Sequence, residues 1–170
     1  MRGVYAAARY LAERARPAAL AVAWISMIVL YDADCGFCRW AMAWALGRDR
    51  RRELVVVPIQ SQLGSQLLGD LSPSERLDAA HVVRDDGSRD SGGVAAAEVF
   101  GALGQTRPLG RLARRLPVPT AALYGLVAAH RHGFGRFVGV QARRRADRLL
   151  DAERVTTAAE LDERAGRRRY

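Results

Sequence analysis

Residues 27–38 read MIVLYDADCGFC: an unbroken apolar run, two aspartates, then two cysteines three positions apart. A short apolar run that stops at polar residues is the pattern of a strand buried on both faces. From Asp34 onward the spacing changes. Phe37, Trp40, Met42, Ala43, Trp44 and Leu46 crowd a helix, and Gly47 is placed to close it. RDRRR makes an exposed turn, and ELVVVPI, residues 53–59, reads as a second buried strand. Strand, helix and strand within roughly 30 residues form a βαβ unit, whose right-handed crossover sets the two strands parallel.

The remaining pattern extends this unit. QSQLGSQLLGD is a short helix stopped by Gly69 and Asp70, and SPSERLDA is a loop with one helical turn, Pro73 following a serine cap. HVVR, a turn at Asp86-Gly87 and a short return strand make a β-hairpin. GGVAAAEVFGALG predicts a helix after two glycines. RPLGRLARRL predicts another, halted by PVP, and TAALYGLVAAHRHG a third. The order β-α-β-α-β-β-α, with extra C-terminal helices, describes an α/β domain with a central mixed sheet and flanking helices. The tail from Gln141 to Tyr170 mixes arginines with acids. Its weak helical periodicity at Leu149, Leu150, Val155 and Leu161 predicts an exposed helix or a partly disordered arm.

Composition narrows the function. A chain of 170 residues suits one domain, and 49% apolar content is enough for a core. All 27 basic residues are arginine, and the formal charge is +9. Such a charge raises the question of nucleic acid or a membrane surface. The arginines are scattered or gathered near the C-terminus with few aromatics between them, so they do not form a base-stacking platform, and neither partner is expected. Residues 17–31 lack charge, but 15 residues fall short of the ~20 a spanning helix needs, and the second half is wanted as the first strand. The chain therefore reads as cytoplasmic, with residues 1–26 an extension, residues 27–139 the domain and residues 140–170 the tail.

Cys35 and Cys38 are the only cysteines. One pair in so long a chain is no disulfide scaffold, and the loop it closes is too small to staple a fold. Three readings are open: a redox pair, half a metal site, or two inert core thiols. Position favours the first. The first turn of a helix has free N–H groups and a positive dipole end, which stabilise a thiolate at Cys35. Cys38 lies one turn deeper on the same face, close enough to attack a mixed disulfide formed at Cys35. Gly36 leaves the backbone between them flexible, Phe37 gives an apolar flank and Arg39 adds positive charge. A zinc site would need further ligands, and His81, His130 and His132 stand at no familiar spacing from the pair. Asp34 is a natural N-cap for the helix. Asp32, ending an apolar strand, is expected to be partly buried, with a raised pKa that suits proton transfer to or from a thiol. Both carboxylates oppose thiolate formation, so they compete with the helix dipole.

VLYDADCGFC, the helix after it, VVVPIQS and HVVRDDG together resemble the DCC family of predicted thiol–disulfide oxidoreductases, known by an Asp-Cys-x-x-Cys signature. The resemblance covers roughly residues 27–137 and includes PVPTAALYGLVAAHRHGFGRF, similar to the family's closing helical segment. It implies a thioredoxin-like fold and an oxidoreductase acting on protein or small-molecule thiols and disulfides; no cofactor is expected, and the sequence does not identify a reducing partner. It also implies Cys35 as the attacking thiol, Cys38 as the resolving one, and Asp32 and Asp34 as flanking acids. Three features depart from the pattern. Ala33 stands where the family commonly has glycine. Ser91-Gly92-Gly93 replaces a serine followed by an acidic or polar residue. DAAHVV lacks the proline that a typical thioredoxin places before its third strand, and Pro58 is not an obvious substitute. The rival classes are a thioredoxin-like binding module without catalysis and a basic nucleic-acid-associated protein.

Because the first strand begins at Met27 and the cysteine motif needs nothing before it, a chain starting at Met27 is expected to fold with unchanged cooperativity. Denaturant unfolding checks this; an insoluble or non-cooperative product would place residues 1–26 in the core.

Overall fold

The computed structural model describes residues 27–84 and 86–167; the proposed N-terminal extension lies outside them. Strand β1 (Met27–Tyr31) leads through a turn into helix α1 (Gly36–Leu46), and β2 (Leu54–Pro58) comes next. Then come α2 (Gln62–Leu67), α3 (Pro73–Asp78), the hairpin β3 (His81–Val83) and β4 (Arg89–Ser91), and α4 (Gly92–Ala102). Helices α5 (Arg107–Arg115), α6 (Pro117–Phe137), α7 (Val140–Glu153) and α8 (Ala158–Arg167) complete the chain. The sheet order is β2-β1-β3-β4, with β1 parallel to β2 and antiparallel to β3. This is a thioredoxin-like α/β fold.

Every residue of β1 and β2 is buried, as their uninterrupted apolar runs require. Alternation along the pleat divides them between two cores. Ile28, Leu30, Val55 and Val57 face α2 and the C-terminal segment, packing with Leu63, Leu68, Val155 and Leu161. Met27, Val29, Leu54 and Val82 face the other way, against Ala45 of α1 and Ala95 and Val99 of α4. Ser72 and Glu75 form a reciprocal capping box at α3, with Pro73 in its first turn. Gly92 opens α4 at φ +64, a conformation other residues adopt only with strain. Gly110 of α5 lies directly on the backbone of Gly101 in α4, where a Cβ would collide. Small residues thus let α5 sit close on α4.

Two expectations change in extent. PVP does halt α5, but Pro117 also begins the next helix, as proline can in a first turn. That helix therefore runs from Pro117 to Phe137 rather than over residues 120–133 alone. The tail is helical, yet it is no exposed arm. Ala146, Leu150, Val155 and Leu161 are all buried, and Val155 N–H donates to the Val56 carbonyl at 3.0 Å. The segment after α7 thereby covers the open edge of β2, satisfying backbone groups that would otherwise invite another strand. Many arginines are held in ion pairs, Arg89 with Asp70 through two bonds of 2.6 Å and Arg84 with Asp90 among them. Among the described residues no helix is long and apolar enough to cross a membrane.

His81, one of the histidines considered as a ligand, is a structural residue. Its Nε2 faces the Arg76 carbonyl at 3.0 Å and its Nδ1 the Ser91 hydroxyl at 2.8 Å, which fits a neutral ring donating through Nε2. Burial holds its pKa below the usual histidine range. The unfolded chain therefore takes up a proton more readily than the folded one. Stability should be full above the unfolded value near ~6.5 and fall as pH drops through it. Urea midpoints measured between about pH 7 and pH 5 should decline, and decline less steeply in His81→Gln. Equal slopes in the two proteins would rule out a buried neutral His81.

Candidate functional site

The parallel register pairs Tyr31 with Pro58, so both strands end at the same level and the chain turns there. Asp32 makes the turn. Its Oδ1 accepts the N–H of Asp34 at 3.0 Å, closing an Asx-type bend. Two residues beyond Pro58, Gln60 continues the register and lies opposite Ala33. Its Oε1 accepts the Ala33 N–H at 3.1 Å, and its Nε2 donates to Asp32 Oδ1 at 2.8 Å and Asp34 Oδ2 at 3.3 Å. One amide side chain thus fastens the loop that carries both aspartates.

Asp34 is exposed and does not cap α1. The cap is Cys35, with extended backbone (φ −88, ψ 111), and its Sγ accepts the N–H of Cys38 at 3.3 Å. The reason is local: Asp32 has already bent the chain one residue earlier, and the first free helical N–H meets sulfur instead of carboxylate. The two sulfurs are 2.6 Å apart, with the Cys38 thiol directed at Cys35. That separation exceeds a disulfide bond length of about 2.05 Å but is short enough for one to form with little movement.

The sulfurs differ. Cys35 is 1% exposed, while Cys38 is half-buried and lines a cavity. Burial, followed by the Cys35 sulfur, its charge and that of Asp32, pushes the Cys38 thiol far above the usual range, against an opposing effect of Arg131. Cys38 therefore keeps its proton and directs it to Cys35. Cys35 Sγ receives two donors, the N–H and the S–H of Cys38.

Helix α6 brings two residues that the sequence pattern did not single out. Tyr124 and Arg131 are seven positions apart, two helical turns on one face, and both line the cavity that Cys38 borders. Arg131 donates from Nη1 to the Leu77 carbonyl at 2.7 Å, and its Nη2 lies 4.0 Å from Asp32 Oδ2. Tyr124 accepts the Ala80 N–H at 2.8 Å, leaving its own proton free to donate. Burial above all keeps that proton in place, raising the phenol pKa, and the charges of both sulfurs add to the effect. Ala80 occupies the position just before β3 where the sequence lacks the expected proline. A tyrosine hydroxyl from α6 holds it there. Arg39, expected beside the thiols, instead pairs with Asp147 of α7 at 2.8 Å. Phe37 is an apolar flank as expected, its ring tilted against Trp40 and Phe134, each 5.9 Å away. His130 bonds the Leu126 carbonyl through Nδ1 at 2.9 Å. Among the described residues no group of three His, Cys, Asp or Glu is arranged to hold a metal ion.

The arrangement joins a close thiol pair, a helix N-terminus, a buried carboxylate and a partly buried guanidinium. A thiol pair so placed can form and open a disulfide. A family model described as DCC1-like thiol-disulfide oxidoreductase matches residues 29–137. No curated protein and no solved structure matches the chain.

Asp32 is 8% exposed, and both of its hydrogen bonds fall on Oδ1, which Asn would retain. Asp32→Asn should therefore keep the fold while removing a negative charge that pushes Cys38 up. The Cys38 alkylation profile should shift to lower pH, with a melting temperature close to that of the parent. A lower melting temperature with an unmoved profile would confine Asp32 to shaping the turn.

Proposed function

The chain belongs to the DCC1-like thiol-disulfide oxidoreductase family, and we propose that this protein catalyses thiol–disulfide exchange through reversible disulfide formation between Cys35 and Cys38. The observation that carries the reading is the sulfur pair itself: 2.6 Å apart, at the start of α1, with two donors converging on Cys35. The Cys38 N–H in the first turn of α1 keeps the Cys35 sulfur in place beside its partner.

In this reading Asp32 exchanges the proton that Cys38 must gain or lose as the disulfide opens or closes. Its burial, its influence on the Cys38 thiol and the nearby Arg131 support that role, since a buried carboxylate close to a thiol can exchange a proton with it. Asp34, tied to Asp32 through Gln60, is the second flanking acid and sits at the exposed edge. The substrate is a thiol or disulfide, the pair needs no cofactor, and a separate partner resets it. The setting is the cytoplasm, where a cysteine pair cycles rather than serving as a structural staple.

Mild oxidation should remove two hydrogens from the protein, seen by intact mass, and protect both cysteines from alkylation. Dithiothreitol should restore both. Cys35→Ser or Cys38→Ser should abolish catalysis of bis(2-hydroxyethyl) disulfide reduction. Two freely alkylated thiols after oxidation, or stoichiometric zinc bound to the pair, would contradict this function.

A further inference from the structure

The charge of this chain is unevenly spread. Residues 99–146 hold nine arginines and no acid, while the remaining residues hold eighteen arginines and eighteen acids. The whole formal charge of +9 therefore belongs to α5, α6 and the first turns of α7. Exposed apolar side chains gather in the same stretch. Among the described residues, nine of the ten large hydrophobic side chains that face solvent lie between Leu109 and Val140. Taken along the whole chain the arginines look scattered, which is why no membrane partner is expected from sequence; the fold sets the unbalanced ones among exposed leucines.

Two helices build the face. Leu109, Leu112 and Leu116 recur at helical spacing along one side of α5, each about half exposed. Arg111 and Arg115 stand beside them, exposed and without an ion pair among the described residues. The buried side of α5 is spent on α4, through Gly110 against Gly101, so the leucines are not needed for that packing. On α6, Leu123, Leu126 and Phe137 form a stripe turned away from Tyr124 and Arg131, and Phe137 is 87% exposed. The cavity that Cys38 borders opens on this face, since Leu109, Leu112, Leu116 and Leu123 line it as well.

A partner must take both the leucines and the charge. A second copy of the chain would bury the leucines, but a twofold contact would press two faces of like charge together. Nucleic acid would meet the arginines with phosphate and offer the leucines nothing, and the face has few aromatics on which bases could stack. The surface of a bilayer bearing anionic lipids satisfies both. Headgroups meet the guanidinium groups, the acyl boundary receives the apolar side chains, and the alkyl stems of the arginines reach between the two levels. We propose that the α5–α6 face docks this protein on the surface of a membrane bearing anionic lipids, with the mouth of the cavity beside Cys38 against the lipid. Because no described helix can cross a bilayer, the attachment is peripheral. The inference goes beyond the exchange function and does not depend on it.

The test sediments the full chain with vesicles of phosphatidylcholine alone, or of phosphatidylcholine and phosphatidylglycerol in equal parts. Strong binding is expected only to the anionic vesicles, and rising salt should release it. Arg111→Gln and Arg115→Gln should each weaken that binding about fivefold. Leu126→Gln should weaken it by a roughly similar factor of five through lost apolar burial; Phe137→Gln serves if that variant melts early. Arg51→Gln removes the same unit of charge from the exposed turn after α1, outside this face, and should leave binding unchanged. All these side chains are exposed, so melting temperatures and reduction of bis(2-hydroxyethyl) disulfide should stay at the parent's values. No binding to anionic vesicles, equal binding to both kinds, or a loss in Arg51→Gln as large as in Arg111→Gln would overturn the proposal. So would a DNA duplex bound more tightly than the anionic vesicles and indifferent to Leu126→Gln, or a dimer in ultracentrifugation that Leu126→Gln dissociates. None of these outcomes reads thiol exchange, so the exchange function stands or falls separately.

Discussion

The pairing of β1 with β2, Tyr31 opposite Pro58, is the constraint on which the site depends. Two parallel strands ending level leave the chain one place to turn, and the residues just past the two strand ends then lie side by side. Gln60 meets Ala33 for that reason and reaches both aspartates. Asp32, bending the backbone at that level, fixes where α1 can begin, and α1 begins with Cys35 as its cap. Burial of all ten strand residues drives this register, since a one-residue slip would break its match with both cores. The reactive sulfurs are therefore positioned by hydrophobic packing beneath them, not by contacts of their own.

The electrostatics are asymmetric by construction. Cys35 receives donors; Cys38 supplies them and keeps its proton because of burial and the adjacent sulfur. Asp32 opposes charge on Cys38 while Arg131, arriving from a distant helix, favours it. A carboxylate and a guanidinium 4.0 Å apart thus act on one thiol with opposite sign. Tyr124 joins the site by a different logic. It substitutes a side-chain acceptor for whatever would otherwise satisfy the Ala80 N–H, in a segment that lacks the expected proline.

Elements with a strong period were legible in the sequence: both buried strands, α1, the hairpin and the serine cap before Pro73 all appear where their patterns place them. The cap of α1 was not, because Asp34 and Cys35 both satisfy the pattern and only the Asx bend at Asp32 decides between them. Burial of the tail was not legible either. Four apolar positions among many arginines look like a solvated helix until the open edge of β2 is seen to need covering. Gln60 had a readable signal, since it stands as far past the end of β2 as Ala33 does past β1. Tyr124 and Arg131 had only a weak one, their spacing of two turns on a helix with an apolar face. Their meeting with the thiols depends on how α6 lies over the cavity. That in turn depends on Gly93 of α4 packing against the backbone of Thr120 and Ala121 in α6, a contact no local pattern announces.

A sulfur pair this close should behave as a two-electron couple in which both cysteines change state together. Equilibrating the protein in glutathione buffers of graded potential, then quenching and weighing it, measures this directly. One transition between dithiol and internal disulfide is expected, with the ratio of the two forms changing tenfold for about every 30 mV. Glutathione adducts on single cysteines with no internal disulfide at any potential would contradict it.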